Sequence, residues 1–243
     1  MHIIIQNSLI TILIFFAAIL GFVLNKIDFK GALTGAILAM MLFWFGGGLE
    51  SLVALFLFFL LGSYASSWKK DIKTQYKIIQ ENHGERGISN VIANGGIAGL
   101  LSILALVLKD HQSTIVLMII ASIATACSDT LSSELGNIYG KKYFNITNLK
   151  RSKRGLDGVI SITGLWFGFM GSFAIALGTF VFNHDMKKLL IVTVSGFMGN
   201  LVDSVLGGTL QQKGYINNHQ VNFLATFSGA LICLLLFLLF LKS

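Results

Sequence analysis

The chain alternates long apolar runs with short polar breaks. Eight apolar segments can be drawn, roughly 3–24, 31–47, 50–68, 88–108, 114–135, 158–182, 189–210 and 220–241. Most reach the ~20 residues that a helix needs to cross a hydrocarbon core of about 30 Å. The pattern predicts an all-α fold: a polytopic integral membrane helix bundle of about eight transmembrane helices, with seven as the other reading. The second and third segments are short and meet at Gly46-Gly47-Gly48. That junction reads as a tight hairpin or as one broken, partly re-entrant element. Residues 208–219 are open to reading as a plain loop. The first segment has no basic n-region and no small-residue cleavage site, and it is too long for a signal peptide. It therefore reads as a span. The whole of 1–243 reads as one membrane domain, with N-terminal helices over 1–68, a core carrying the polar residues over 86–222 and a last helix over 220–241.

Composition strengthens the membrane reading. Of 243 residues, 54% are hydrophobic and 12% charged, against roughly 25% charged in soluble domains. Mean hydropathy is +0.77. Disorder, a coiled coil and an ordinary cytosolic enzyme are excluded. The two cysteines, Cys127 and Cys233, lie inside apolar runs and support neither a disulfide framework nor a zinc site. The five histidines (His2, His83, His111, His184, His219) have no ligand spacing. Proline is absent, which leaves glycine as the only strong helix breaker.

The net charge of +7 reports loop orientation rather than nucleic-acid binding. With eight spans, one side collects Lys26, Lys30, Lys69, Lys70, Lys73, Lys77, Arg86, Lys141, Lys142, Lys150, Arg151, Lys153, Arg154 and Lys213. The other side holds only Lys109, Lys187, Lys188 and Lys242. By the positive-inside rule the richer side is cytoplasmic, with the loops 69–87 and 136–157 inside and both termini outside. The membrane would be a bacterial or archaeal plasma membrane, or an organelle membrane.

Polar residues enter the spans at that same side. Asn90 and Asn94 open the fourth span. Ser128, Asp129, Thr130, Ser132, Ser133 and Glu134 close the fifth. Asp157, Ser161 and Thr163 open the sixth, and Asn200, Asp203, Ser204 and Gln211 close the seventh. Asn217, Asn218 and Asn222 open the eighth. The orientation rests on Lys and Arg alone, so the agreement is an independent check. A carboxylate inside a membrane helix costs about 2.5–3.5 kcal/mol at the centre, and its default reading is a functional site. The bland reading makes these residues interface markers at helix ends.

Spacing sharpens the expectation. Asp129 and Ser133 are i, i+4, as are Thr130 and Glu134, while Asn200, Asp203, Ser204 and Gly207 follow i, i+3, i+4, i+7. Two carboxylates on two helices with Asn and Ser beside them make an oxygen-rich site of the kind Mg²⁺ accepts, leaving positions for water and phosphate. Lys150-Arg151-Ser152-Lys153-Arg154-Gly155 precedes the sixth span, where it reads as a phosphate binder or as a contact for anionic membrane lipids. Arg86 has Asn90 and Asn94 at i+4 and i+8. The glycines of the later spans read chiefly as close-packing positions, with ligand approach a second reading for Gly207-Gly208. The segments 88–135 and 158–210 suggest a weak internal repeat of helical hairpins.

Four blocks carry a family resemblance: Arg86-Gly87-Ile88-Ser89-Asn90-Val91-Ile92-Ala93-Asn94-Gly95-Gly96; Ser128-Asp129-Thr130-Leu131-Ser132-Ser133-Glu134-Leu135-Gly136; Gly155-Leu156-Asp157-Gly158-Val159-Ile160-Ser161-Ile162-Thr163-Gly164; and Asp203-Ser204-Val205-Leu206-Gly207-Gly208-Thr209-Leu210-Gln211, with Asn217-Asn218 and Val221-Asn222 beyond. In this order and spacing the chain resembles the integral membrane family called domain of unknown function 92, the family of the plastid phytyl-phosphate kinase and of transmembrane protein 19.

The resemblance implies a polyprenyl-phosphate kinase that moves the γ-phosphoryl of CTP, or of another nucleoside triphosphate, onto an isoprenoid monophosphate such as phytyl or geranylgeranyl monophosphate. Asp129 and Asp203 would hold Mg²⁺, with Glu134 a further ligand or an orienter. Arg86, Lys153 and Arg154 would neutralise phosphate oxygens. The expected substrate-binding residues are Asn90, Asn94, Thr130, Ser133, Asp157, Ser161, Asn200, Ser204, Gly207, Gln211, Asn218 and Asn222. The expected partners are the lipid substrate and membrane lipids, with no nucleic acid and with a homodimer left open. Two other readings stand beside this one: a transporter or flippase for a phosphorylated lipid or ion, and a lipid-phosphate nucleotidyltransferase.

Overall fold

A computed structural model describes residues 2–75 and 86–241. Lys77, His83 and Lys242, used in the sequence reading, lie outside the described residues, as does 76–85 of the 69–87 loop. The described residues form helices α1 (His2–Val23), α2 (Phe29–Trp44), α3 (Leu49–Ser67), α4 (Lys70–Gln75), α5 (Ile88–Val107), α6 (Gln112–Tyr139), α7 (Ile162–Asn183), α8 (Met186–Leu206) and α9 (Asn218–Phe240). Seven are long and apolar enough to cross a membrane. The 16-residue α2 is an eighth, shorter apolar helix, with a length of about 24 Å at 1.5 Å per residue. The eight predicted segments thus coincide with eight helices. α4 is a short addition after α3.

The α2–α3 junction is a tight hairpin. Gly47 (φ +98°) and Gly48 (φ +69°) reverse the chain in a backbone region that favours glycine. The Ser51 hydroxyl closes the turn by donating to the Gly46 carbonyl. Residues 208–219 are not a plain loop: 207–211 continue α8 as a wide π-type turn. Asn217 then caps α9 in a capping box with Gln220. The start of the sixth segment also differs from the expectation. Val159–Ile160 is a short strand, β2, paired antiparallel with β1 (Phe144–Asn145), and α7 begins only after Ser161, whose hydroxyl accepts from Gly164 N at 3.0 Å.

α6 is the axis of the bundle. Residues 115–128 are buried without interruption, and α3, α5, α7, α8 and α9 all pack against it. α1 lies at the edge on α2 and exposes Ile12, Phe16 and Ile19, as a lipid-facing helix does. Helices in a bilayer gain nothing from burying apolar side chains against each other in place of lipid, so close backbone approach has to hold them. Glycine provides it here. A Cβ on Gly136 would stand 2.6 Å from Gly164 Cα, joining α6 to α7. Gly199 of α8 faces Thr125 of α6 at 2.5 Å by the same measure, and Gly229 of α9 faces the same threonine. The glycines of the sequence reading serve close packing at these places.

The connections α1–α2, α6–α7 and α8–α9, with the α3–α4 turn and Arg86, gather at one end. Lys26 Nζ donates to Ser67 Oγ at 2.7 Å, Asp28 N to the Arg86 carbonyl at 3.2 Å, Trp68 Nε1 to Tyr139 Oη at 2.8 Å and Gln212 Nε2 to the Asp157 carbonyl at 2.6 Å. At the opposite end Asn183 Nδ2 donates to Glu50 Oε1 at 2.9 Å. The basic loops and the polar helix ends therefore share one end of the molecule.

Gly199→Ala is expected to destabilise by about 1–3 kcal/mol through overpacking against Thr125. Gly35→Ala, whose Cβ would meet only Ile27 at 3.9 Å, should be neutral or slightly stabilising through helix propensity. Thermal melting of both variants in detergent micelles checks the contrast, and equal melting temperatures would contradict the packing argument.

Candidate active site

The contact between Gly199 and Thr125 sets the register of the site. α6 and α8 run in the same direction, and one helical turn beyond that contact Asp129 and Asp203 face each other. Their carboxyl groups come within hydrogen-bonding contact. With its amide oriented to suit its neighbours, Asn222 of α9 donates to Asp203 Oδ2 at 3.2 Å and to the Asn218 carbonyl at 3.1 Å. Three helices, packed on glycine and threonine, thus converge on one pair of carboxylates.

The α6–α7 connection closes over this pair. Gly158 (φ +67°) packs against the π-type turn so closely that a Cβ would lie 2.1 Å from Gly208 Cα. Gly207 meets Gly158 in the same contact, and Gln211 lies in the turn itself. The side chain of Asp157 is within electrostatic reach of Asp203. Partial desolvation raises the Asp157 carboxyl above its ordinary value.

Beneath the carboxylates, Asn200 is buried beside Gly168, with Ser128 at the same glycine. Asn200 Nδ2 and Ser128 Oγ have no hydrogen-bond partner among the described residues. Ser133 Oγ donates to the Thr130 carbonyl at 3.2 Å. The Ser204 carbonyl lies against Gly158.

Glu134, one turn beyond Thr130, is engaged elsewhere. Lys73 of α4 reaches down to it, with Nζ 2.5 Å from Glu134 Oε2. The same ammonium donates to the Ala65 and Ser66 carbonyls at 2.7 and 3.1 Å. One buried Lys thus caps the last turn of α3 and ties it to α6, where cations favour the negative end of the helix dipole. This is the only ion pair among the described residues. Sequence reasoning assigned Lys73 to loop charge alone. Nothing in its spacing marks it, because its partners are brought by the α3–α4 turn.

Arg86 is inserted between α3 and α5. Its guanidinium lies over the Phe58 ring at 4.8 Å and against Gly62, whose Cβ would meet Nη2 at 2.1 Å. Glu134 is within its electrostatic reach. Asn94 Nδ2 donates to the Asn90 carbonyl at 2.9 Å on the same face of α5. Lys153 is exposed on the connection. Arg154 packs over the Tyr143 ring at 5.3 Å and donates to the Gly140 carbonyl at 3.4 Å. Ser161 is committed to capping α7.

Breaking a buried pair by removing one partner costs about 3–5 kcal/mol. Lys73→Met is therefore expected to lower stability by that order, and the double variant Lys73→Met/Glu134→Met should recover much of the loss. Denaturation in micelles reads both. A double variant as unstable as the single one would show that the Lys73 bonds to α3, rather than the pair, carry the effect.

Comparison with known proteins bears on the whole bundle. The model of the family described as integral membrane protein DUF92 matches residues 12–230. An uncharacterized membrane protein of Methanocaldococcus jannaschii is 36% identical over 87% of this chain and 86% of its own length. One from Synechocystis is 32% identical over 80% of this chain and 76% of its own length. Protein VTE6, chloroplastic, of Arabidopsis thaliana is 28% identical over 84% of this chain and 63% of its own length. No solved structure matches the chain. The matched stretch runs from the first helix to the last and contains all four motif blocks; the chain belongs to the DUF92 family of integral membrane proteins.

Proposed function

We propose that the protein is a polyprenyl-phosphate kinase, transferring the γ-phosphoryl of a nucleoside triphosphate, with CTP the first candidate, to an isoprenoid monophosphate at the cytoplasmic membrane face. The observation that carries this reading is the facing pair Asp129 and Asp203, joined by Asn222, at the polar end of the bundle. Membership of a family that includes the plant phytyl-phosphate kinase supports it.

The residues present fit Mg²⁺. Two carboxylates in contact at a half-buried position repel each other unless a proton or a cation lies between them, and Mg²⁺ is bound by one or two carboxylates with water and phosphate completing its shell. No group of three or more His, Cys, Asp or Glu suited to a metal occurs among the described residues. Asp129 and Asp203 would hold the ion, which would neutralise charge on the nucleotide phosphates. Asn222 orients Asp203, and Glu134, held by Lys73, positions its helix rather than ligating. Arg86 offers a fixed positive charge to an acceptor phosphate. The acceptor needs no general base, since a phosphate monoester is already ionised near neutral pH. One of its oxygens forms the new bond to the γ-phosphorus while the bond to the nucleoside diphosphate breaks.

The test is a product assay on the detergent-purified chain with Mg²⁺, a mixture of CTP, ATP, GTP and UTP, and geranylgeranyl monophosphate, read by mass spectrometry. A lipid product heavier by one phosphate is expected. Asp129→Asn and Asp203→Asn should each lower turnover more than about 100-fold, the scale of a lost electrostatic contribution at a reacting phosphate, while insertion and melting are unchanged. A product heavier by a whole nucleotide would reassign the chain as a nucleotidyltransferase, and full activity in either variant would remove that carboxylate from the site.

A further inference from the structure

A cavity of about 520 Å³ lies between α1, α2, α3 and the start of α5, outside the carboxylate pair. Its size falls within the range of small-molecule sites, ≈ 300–1,000 Å³. Its walls are almost entirely apolar, with Leu13, Ala36, Leu52 and Phe56 typical of them. Along α1 it reaches from Ile10 to Leu20 and along α3 from Leu49 to Phe59. Ten residues of helix make that roughly 15 Å long, about half of a ~30 Å hydrocarbon core. Its polar lining comes from Arg86, Asn90 and Asn94.

Asn90 and Asn94 lie on the first two turns of α5 and Arg86 two residues before it, at the loop-rich end of the bundle that also carries Asp129 and Asp203. The asymmetry describes an occupant: a hydrocarbon chain with one anionic head. The head would lie beside Arg86, whose guanidinium is always charged; Glu134 is within its electrostatic reach but is paired with Lys73. Glycine at position 62 of α3 makes room for the Arg86 guanidinium. Glycine at position 35 leaves the α2 wall open, since a Cβ there would meet only Ile27, at 3.9 Å.

We propose, resting on the kinase reading, that this cavity seats the isoprenoid chain of the acceptor, with Arg86 and the two asparagines holding its phosphate. The chain thus approaches the carboxylates from the α1–α5 side of the bundle. The nucleotide, whose phosphates the Asp pair receives, comes from the loop side. Gly35 and its neighbours on α2 would set which chain lengths are accepted.

Two variants separate tail from head. Gly35→Leu fills the cavity without touching Arg86, and should raise KM for geranylgeranyl monophosphate about 10-fold or more, the scale of a filled or missing methylene contact. It should leave dimethylallyl monophosphate unchanged. Gly62→Ala displaces the guanidinium and should raise KM for both. A rise in Gly35→Leu that is equal for the two acceptors would overturn the assignment.

Binding is read separately from turnover with a diazirine-bearing geranylgeranyl monophosphate, photolysed on the full chain in micelles and mapped by peptide mass spectrometry. Labels on α1 and α2, removed by excess geranylgeranyl monophosphate and weakened in Gly35→Leu, support the proposal. Labels elsewhere overturn it. So do cavity labels displaced by phosphatidylglycerol but not by geranylgeranyl monophosphate, which would mark a seat for ordinary bilayer lipid. A wild-type chain that binds the probe in the cavity but phosphorylates no acceptor would sink the kinase reading and leave the lipid seat standing.

Discussion

Everything at the polar end depends on how closely α8 and α9 approach α6. Thr125 is the point of contact for both, against Gly199 and Gly229. A side chain at either glycine would push a helix outward and leave a gap that lipid or water would enter. Because α6 and α8 run in the same direction, the contact also fixes their register. Four residues beyond Thr125 is Asp129, and four beyond Gly199 is Asp203, a rise of about 6 Å on each helix. The carboxylates meet because the glycines permit the helices to meet first. α7 extends the same device, with Gly164, Gly168 and Gly171 set against α6.

Much of this was legible in the sequence. The apolar runs marked the helices, since a span needs a length of unbroken hydrophobicity that little else in a chain produces. The polar helix ends were placed on one side by counting Lys and Arg, and the folded chain brings those ends together. The pairing of Asp129 with Asp203 followed from their equivalent places at the ends of two spans. What could not be read depends on contacts across the fold. Lys73 looked like its neighbours Lys69 and Lys70, and only the reversal after α3 buries it on Glu134. The two-residue strands at 144–145 and 159–160 are too short to leave a period of two. Ser161, a candidate for substrate binding, caps a helix, a role its position before α7 would have suggested had the helix start been placed correctly. The space beside α1 arises from small residues on α2 that in sequence only look like ordinary membrane-helix packing positions.

The charges divide into a compensated set and an exposed set. Glu134 is matched by Lys73, and that match holds α3 and α4 onto α6. Asp129 and Asp203 have each other and the Asn222 amide, which supplies a hydrogen-bond donor but no positive charge. A fold selected only for stability would place a basic residue there, because an unmatched carboxylate at a helix end in the membrane is costly. Arg154 packs on Tyr143 and Arg86 on Phe58. Among the described residues no ion pair joins a cation to Asp129 or Asp203, and under the kinase proposal a divalent cation arriving with phosphates would balance them.

The kinase proposal and the transporter reading differ in where along the bundle the polar groups should gather. Transporters place their binding groups near the bilayer midplane, between repeats that rock. Here the midsection of α6 is buried over fourteen consecutive residues, 115–128, and clamped by glycine contacts on three sides. Its hydroxyls at Ser122 and Thr125 are turned back onto their own helix, donating to Ile119 and Ala121 carbonyls at 2.8 and 3.0 Å. Moving a charged solute past them would require prising apart the same contacts that set Asp129 opposite Asp203. A site used from one face needs no such motion. Under the kinase proposal the apolar cavity would supply what a one-faced enzyme acting on a membrane substrate requires: a place for the chain inside the protein while the phosphate stays at the polar end.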